Sequence, residues 1–149
     1  GYYNVNKEGS GDMYPKGANM LHTIRQLIED DEKWRQILRG LNRTFYHQTV
    51  TTQEIEAYLS NQTGINLTAF FNQYLRTTEI PTLEYKIENK ELKYRWTHIV
   101  DQFDMPIKVT VNDKEQWLFP TTQWKTMPLE SNKTDLIINR NFYVDVNKL

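Results

Sequence analysis

The sequence predicts an α+β chain: a compact array of about four helices followed by a small antiparallel β-sandwich. Three observations carry that expectation. As far as residue 78 the apolar residues recur at the roughly 3.6-residue period of helices. After Pro81 the period drops to about 2, the spacing of half-buried strands. Turn signals then separate short alternating runs at regular intervals, as in a two-sheet structure. The change of period near residues 78–82 divides a helical part, 1–79, from a β part, 80–149.

The first dozen residues carry Gly, Asn, Ser and Lys without periodicity and are expected to form an irregular arm. From Pro15 a helix begins. Proline suits a first helical position because its missing N–H costs nothing there, and Tyr14 then stands at the helix mouth. Ala18, Leu21, Leu27 and Ile28, with Ile24 alongside, give this helix an apolar face. Asp30 or Asp31 opens a second helix, since acids complement the N-terminal dipole, and Trp34, Ile37, Leu38, Leu41 and Phe45 line one side of it. Thr51-x-x-Glu54 has the form of a capping box and starts a third helix with Ile55, Tyr58 and Leu59, which Gly64 stops. Asn66 is placed to cap a fourth helix holding Leu67, Phe70, Phe71, Tyr74 and Leu75.

In the β part, Leu83, Tyr85 and Ile87 alternate with polar residues, and Leu92, Tyr94 and Trp96 do the same beyond the Glu88-Asn89-Lys90 turn. Ile107, Val109 and Val111 form a third run, closed by Asn112-Asp113. Trp117 with Phe119, then Trp124, Leu136 to Ile138, and Phe142 with Val144 mark further short strands of an immunoglobulin-like sandwich. Aromatic residues make up 13% of the 149 positions, so large rings can fill a core that an apolar fraction of 38% would otherwise leave thin.

Composition narrows the chemistry. Eighteen Lys+Arg against 19 Asp+Glu leave a net charge of -1, without the basic excess of a nucleic-acid-binding domain. No apolar run approaches the ~20 residues that cross a bilayer, and the N-terminal stretch does not resemble a signal peptide. Zero cysteines exclude disulfides, Cys-ligated zinc and thiol catalysis within these residues, and fit any redox compartment. His22, His47 and His98 have no second histidine three or four residues away, so a three-ligand metal site made by this chain alone is not expected. Asp30-Asp31 reads as a helix cap. No Gly-rich phosphate loop and no nucleophile elbow is present. Four Asn-x-Thr sequons, at Asn42, Asn61, Asn66 and Asn132, stand against about two expected from the Asn and Thr content, so they do not fix the localisation, although an extracytoplasmic one is compatible with them.

One stretch stands apart: Asp12-Met13-Tyr14-Pro15-Lys16-Gly17-Ala18-Asn19-Met20-Leu21. A tyrosine at a helix mouth is followed by a small Gly-Ala pair that lets another backbone approach closely. This segment resembles the Tyr-x-Lys-Gly-Ala segment of the gluzincin zinc aminopeptidases, the family of aminopeptidase N and leukotriene A hydrolase. Residues 14–41, YPKGANMLHTIRQLIEDDEKWRQILRGL, are similar to the family's Lys-Gly-Ala-x-x-Leu-x-x-Leu-Arg helix, acidic turn and next helix. Residues 49–85, TVTTQEIEAYLSNQTGINLTAFFNQYLRTTEIPTLEY, resemble the stretch that follows, through a Leu-x-x-Phe-Phe-x-x-Tyr/Trp-Leu helix to a Pro-x-Leu-x-Tyr entry into strands. The likeness covers roughly residues 12–87 in order. Beyond them the alternating segment is similar only in architecture to the β-sandwich that follows the catalytic domain in many members.

The resemblance implies a peptidase that removes N-terminal residues from peptides, with zinc held by H-E-x-x-H and a further Glu, and with Gly-x-Met-Glu-Asn binding the substrate's amino group. A tyrosine of the Tyr-x-Lys-Gly segment donates a hydrogen bond to the tetrahedral oxyanion, and Tyr14 matches it. Lys16, Gly17 and Ala18 match the motif and would place and pack the helix; Pro15 is a departure that the start of a helix tolerates. The larger departure is that this chain contains neither H-E-x-x-H nor Gly-x-Met-Glu-Asn. Both lie N-terminal to the tyrosine in the family. The resemblance therefore implies the C-terminal portion of such an enzyme, inactive alone, with catalytic zinc in the full-length parent and none in this portion. Its uncovered helical faces would favour self-association. The alternative is a non-catalytic relative kept as a scaffold or interaction module, binding a partner or glycan through the β-sandwich, with Trp96, Trp117 and Trp124 as a platform.

Overall fold

Residues 13–149 are described by the structure, a computed structural model, with side chains from residue 17 onward. Helix α1 spans Met13–Ile28 and is therefore already under way at Pro15, which occupies its first turn, where proline is still tolerated. Met20, Thr23 and Ile24 are buried, Leu27 and Ile28 are half-buried against the core, and Ala18 and Leu21 are exposed. The expected apolar face holds at Ile24, Leu27 and Ile28 and is corrected at Ala18 and Leu21. At about 100° per residue, 18, 21 and 25 fall on one stripe and 20, 24 and 27 on another. Both stripes contain apolar residues, and periodicity alone does not say which one this chain covers.

Helix α2, Asp31–Thr44, begins at Asp30, whose Oδ1 accepts the Lys33 N–H at 3.0 Å. Trp34 and Ile37 are buried, Leu38 is exposed, and Phe45 caps the C-terminus instead of continuing the helix. Helix α3, Thr52–Thr63, starts at Thr51, whose hydroxyl accepts the Glu54 N–H at 3.2 Å. The Glu54 carboxylate returns to that hydroxyl at 3.3 Å, not to the backbone donor that a full capping box satisfies. Gly64 closes α3 in the left-handed region, φ 72. Helix α4, Thr68–Arg76, begins at Leu67, one residue beyond the expected cap; Asn66 still contributes, accepting the Thr68 N–H at 3.1 Å.

Seven strands follow: β1 Thr82–Glu88, β2 Glu91–Thr97, β3 Ile107–Val111, β4 Lys114–Leu118, β5 Lys125–Pro128, β6 Leu136–Ile138 and β7 Asp145–Lys148. They form a four-stranded sheet ordered β5-β2-β1-β7 and a three-stranded sheet ordered β4-β3-β6. Two tight hairpins set the register. Asn89 and Lys90, φ 51 and 56, turn β1 into β2 with Leu83 opposite Trp96, and Asn112 and Asp113, φ 47 and 67, turn β3 into β4. Positive φ at both turn residues matches the right-handed twist of the strands. Every pair is antiparallel except β1 with β7. That departure has a topological cause: β7 is reached from the other sheet by the 139–144 crossing, which leaves its direction free, whereas a two-residue turn forces reversal. Phe142 and Val144 lie in this crossing, not in a strand.

Leu83, Tyr85, Leu92, Tyr94 and Trp96 on one sheet, and Ile107, Val109, Val111 and Leu118 on the other, belong to a single buried cluster with Ile24, Leu59, Leu67, Phe70 and Tyr74 of the helices. Rings link the two parts: Tyr74 meets Phe103 edge-on at 6.4 Å, and Phe103 meets Trp96 at 5.7 Å. Gln73, fully buried at the end of α4, donates to the Glu79 and His98 carbonyls, both at 3.0 Å, and accepts the Val100 N–H at 2.7 Å. All its polar atoms are therefore matched, which is what permits burial of an amide.

Candidate functional site

The candidate site is the mouth of α1. Tyr14 is the second residue of that helix, and its side chain lies outside the described residues. The backbone nevertheless fixes where position 14 stands. Residues 18, 21 and 25 share its stripe, at spacings of four, seven and eleven. Gly17 and Ala18 are exposed, Leu21 is 42% exposed, and a Cβ placed on Gly17 would meet no atom within 4 Å. Among the described residues, then, nothing covers the Gly-Ala pair, and the N-terminal half of the stripe that position 14 shares, at Ala18 and Leu21, is left exposed.

The opposite side is tied down. Thr23, fully buried, donates to the Asn19 carbonyl at 2.8 Å and accepts the Tyr143 N–H at 3.1 Å. His22 Nε2 pairs with Asn141 Oδ1 at 2.9 Å. At the C-terminal end of the helix, on the stripe that position 14 shares, Arg25 makes a two-pronged bond to Asp31 at 2.8 and 2.9 Å, which holds that carboxyl below its usual range. Glu29 bonds Lys108 of β3, accepts the Trp117 indole N–H at 3.3 Å, and is likewise pushed below the usual carboxylate value, chiefly by the Lys108 hydrogen bond.

Among the described residues no group of three or more His, Asp or Glu could hold a metal ion. His22 is engaged with Asn141, His47 lies against the Tyr46 ring at 4.0 Å, and His98 contacts the Thr97 hydroxyl at 3.2 Å. His98 follows β2 in a left-handed conformation, φ 58, and is not within the strand. The described side chains therefore do not fit a catalytic zinc. A shallow groove of about 630 Å³ between α3 and α4, bordered by Glu56, Ser60, Asn61 and Phe71, offers no acid–base pair, because Glu56 is held by Arg76 at 2.9 Å.

The three tryptophans do not form a shared platform. Trp96 is 1% exposed between the sheets, donating to the Met105 carbonyl at 3.0 Å. Trp117 is half-buried against Phe142. Trp124 lies elsewhere, with the Arg95 guanidinium 4.5 Å from its ring centre. Thr23 escaped sequence reasoning altogether. A helical threonine commonly bonds the carbonyl four residues back, and nothing in the sequence signals a partner 120 positions away. No helix among the described residues is long and apolar enough to cross a membrane.

No family model matches the chain, and no curated protein matches it in sequence. Among solved structures, the crystal structure of Legionella pneumophila aminopeptidase A in complex with aspartic acid is similar, with a TM-score of 0.69 and 16% identity over 91% of this chain. The chain spans 17% of the length of that protein. At this identity the likeness is one of fold: the arrangement of helices and sheets built here recurs as a piece of a much longer aminopeptidase.

Proposed function

We propose that this chain is the C-terminal part of a zinc-dependent aminopeptidase acting on the N-termini of peptides. Residues 1–79 form the helical end of its catalytic domain and residues 80–149 the following β-sandwich. Tyr14 donates the hydrogen bond that stabilises the oxyanion, and the zinc ligands belong to another stretch of the parent protein. The observation that carries the reading is the exposed stripe of α1: among the described residues Gly17, Ala18 and Leu21, on the side that position 14 shares, are left uncovered, while Thr23 on the opposite side is clamped to the rest of the molecule. The Tyr-Pro-Lys-Gly-Ala motif at that place and the fold likeness to an aminopeptidase support it.

A phenol suits this task. It is neutral near pH 7, donates one hydrogen bond, and strengthens that bond as negative charge grows on the substrate oxygen. A donor preorganised in this way lowers a barrier by about 3–4 kcal/mol. In the full-length enzyme, Tyr14→Phe is expected to lower kcat by roughly 10²–10³-fold with zinc content unchanged, measured on an aminoacyl-anilide beside metal analysis. Undiminished turnover by the Phe variant would end the assignment.

A further inference from the structure

We propose that residues 139–144 of the β part are a positioning clasp for α1, with Thr23 as the residue they grip, so that the β-sandwich sets the rotation of the helix carrying Tyr14. The proposal rests on the oxyanion role given to Tyr14 above. It assigns the sandwich a task in catalysis that is distinct from substrate or partner binding.

The clasp is built around one residue, Tyr143. The Tyr143 N–H donates to Thr23 Oγ1 at 3.1 Å, and the Tyr143 carbonyl accepts the Tyr74 hydroxyl at 2.6 Å. Helices α1 and α4 thus hold the same residue from its two polar groups, and the Tyr74 and Tyr143 rings stack at 5.6 Å. Burial, with Tyr143 alongside, raises the Tyr74 phenol well above its ordinary pKa, so it remains a donor throughout the working range. The crossing is itself braced. The Asn139 N–H donates to the Lys108 carbonyl at 3.0 Å, the Asn141 N–H to Asn139 Oδ1 at 2.9 Å, and the Asp145 N–H to the Pro81 carbonyl at 2.9 Å. Its ends are therefore tied to both sheets. At the surface the His22–Asn141 pair adds a second attachment to α1 one residue from Thr23.

Geometry links this grip to position 14. Nine residues separate Thr23 from Tyr14, which at about 100° and 1.5 Å per residue places them roughly 180° apart around the helix and roughly 13 Å apart along it. A clasp on one side therefore sets the azimuth of the other. At the ~6 Å radius of a helix's side-chain shell, a rotation of about 10° displaces an atom by roughly 1 Å. A misplacement of that size in a catalytic group can cost up to ~10²-fold in rate. Thr23 is the natural gripping point because it combines complete burial with a hydroxyl that bonds both its own helix and the crossing.

The test is a double-mutant cycle in the full-length enzyme. Thr23→Val keeps the shape and removes the hydroxyl; kcat is expected to fall about 10- to 100-fold with KM and zinc content unchanged, and Thr23→Ser to recover most of the loss. In a Tyr14→Phe background, Thr23→Val is expected to cost nothing further, because the group it positions is gone. Equal losses in both backgrounds, or a folded Thr23→Val enzyme with native kcat, would overturn the clasp. Should Thr23→Val fail to fold, Asn141→Ala at the exposed attachment answers the same question: a loss that vanishes beside Tyr14→Phe supports the clasp, and an additive or absent loss overturns it. Tyr14→Phe alone is measured first. Native activity there removes the oxyanion reading itself, whereas a large loss there with additive Thr23 and Asn141 effects removes only the clasp.

Discussion

Glu29 and Gly64 occupy the same kind of backbone position and use it differently. Each follows a helix in the left-handed region, φ 55 and φ 72. Glycine adopts that conformation freely, whereas a residue with a Cβ pays roughly 1 kcal/mol or more. At Gly64 no side chain is needed: a Cβ there would meet nothing within 4 Å, so Gly64→Ala is expected to destabilise by about 1 kcal/mol through backbone conformation alone, read as a lower urea midpoint at unchanged m-value. At Glu29 the strain is accepted because the side chain has partners, the Lys108 ammonium and the Trp117 indole. Gly64 is legible in the sequence as a helix stop; Glu29 is not, since its partners lie 79 and 88 positions away.

At the scale of elements, local chemistry decides where helices begin and hairpins turn. Asp30 accepts the Lys33 N–H within four consecutive residues, and Asp30→Ala should cost about 1 kcal/mol by leaving that donor to water, measurable as a drop in thermal midpoint. The Thr51 cap and the Asn89-Lys90 and Asn112-Asp113 turns are equally local, which is why they were readable. The fourth helix shows the limit. Asn66 is the cap that local chemistry predicts, but Leu67, buried in the core, takes the cap position, and Asn66 accepts the Thr68 N–H from one residue earlier. The parallel β1–β7 pair was illegible for a different reason: a strand's direction after a crossing depends on which sheet it joins.

Across the whole molecule the helical and β parts are held by a shared core and by a few polar bridges. The Glu29–Lys108 pair, with Glu115 also on Lys108 at 3.2 Å, gives one of these a pH signature. Because the folded Glu29 carboxyl lies below its ordinary value of 4.5, its contribution is fully present above that value and is lost as the pH falls through the lower folded-state value. The stability gap between the native chain and Glu29→Gln should therefore be seen in urea unfolding at pH 6 and narrow progressively as the pH is taken below the ordinary carboxylate value. A gap that persists in acid would mean that the carboxylate charge is not what joins the two parts. The exposed setting of Glu29 keeps the effect modest and sensitive to salt.

The sequence by itself determined the number and order of the helices, the change to strands after Pro81, the two tight hairpins, and the Tyr14 motif at a helix mouth. Each of these depends on residues a few positions apart, where periodicity, caps and turn chemistry act directly. Only the tertiary structure decided which side of α1 is covered, that Trp96 belongs to the core, that β7 runs parallel to β1, and that Thr23 meets Tyr143. Those outcomes depend on which surfaces meet when distant segments pack, and α1, apolar on two sides, admits more than one answer until its neighbours are in place.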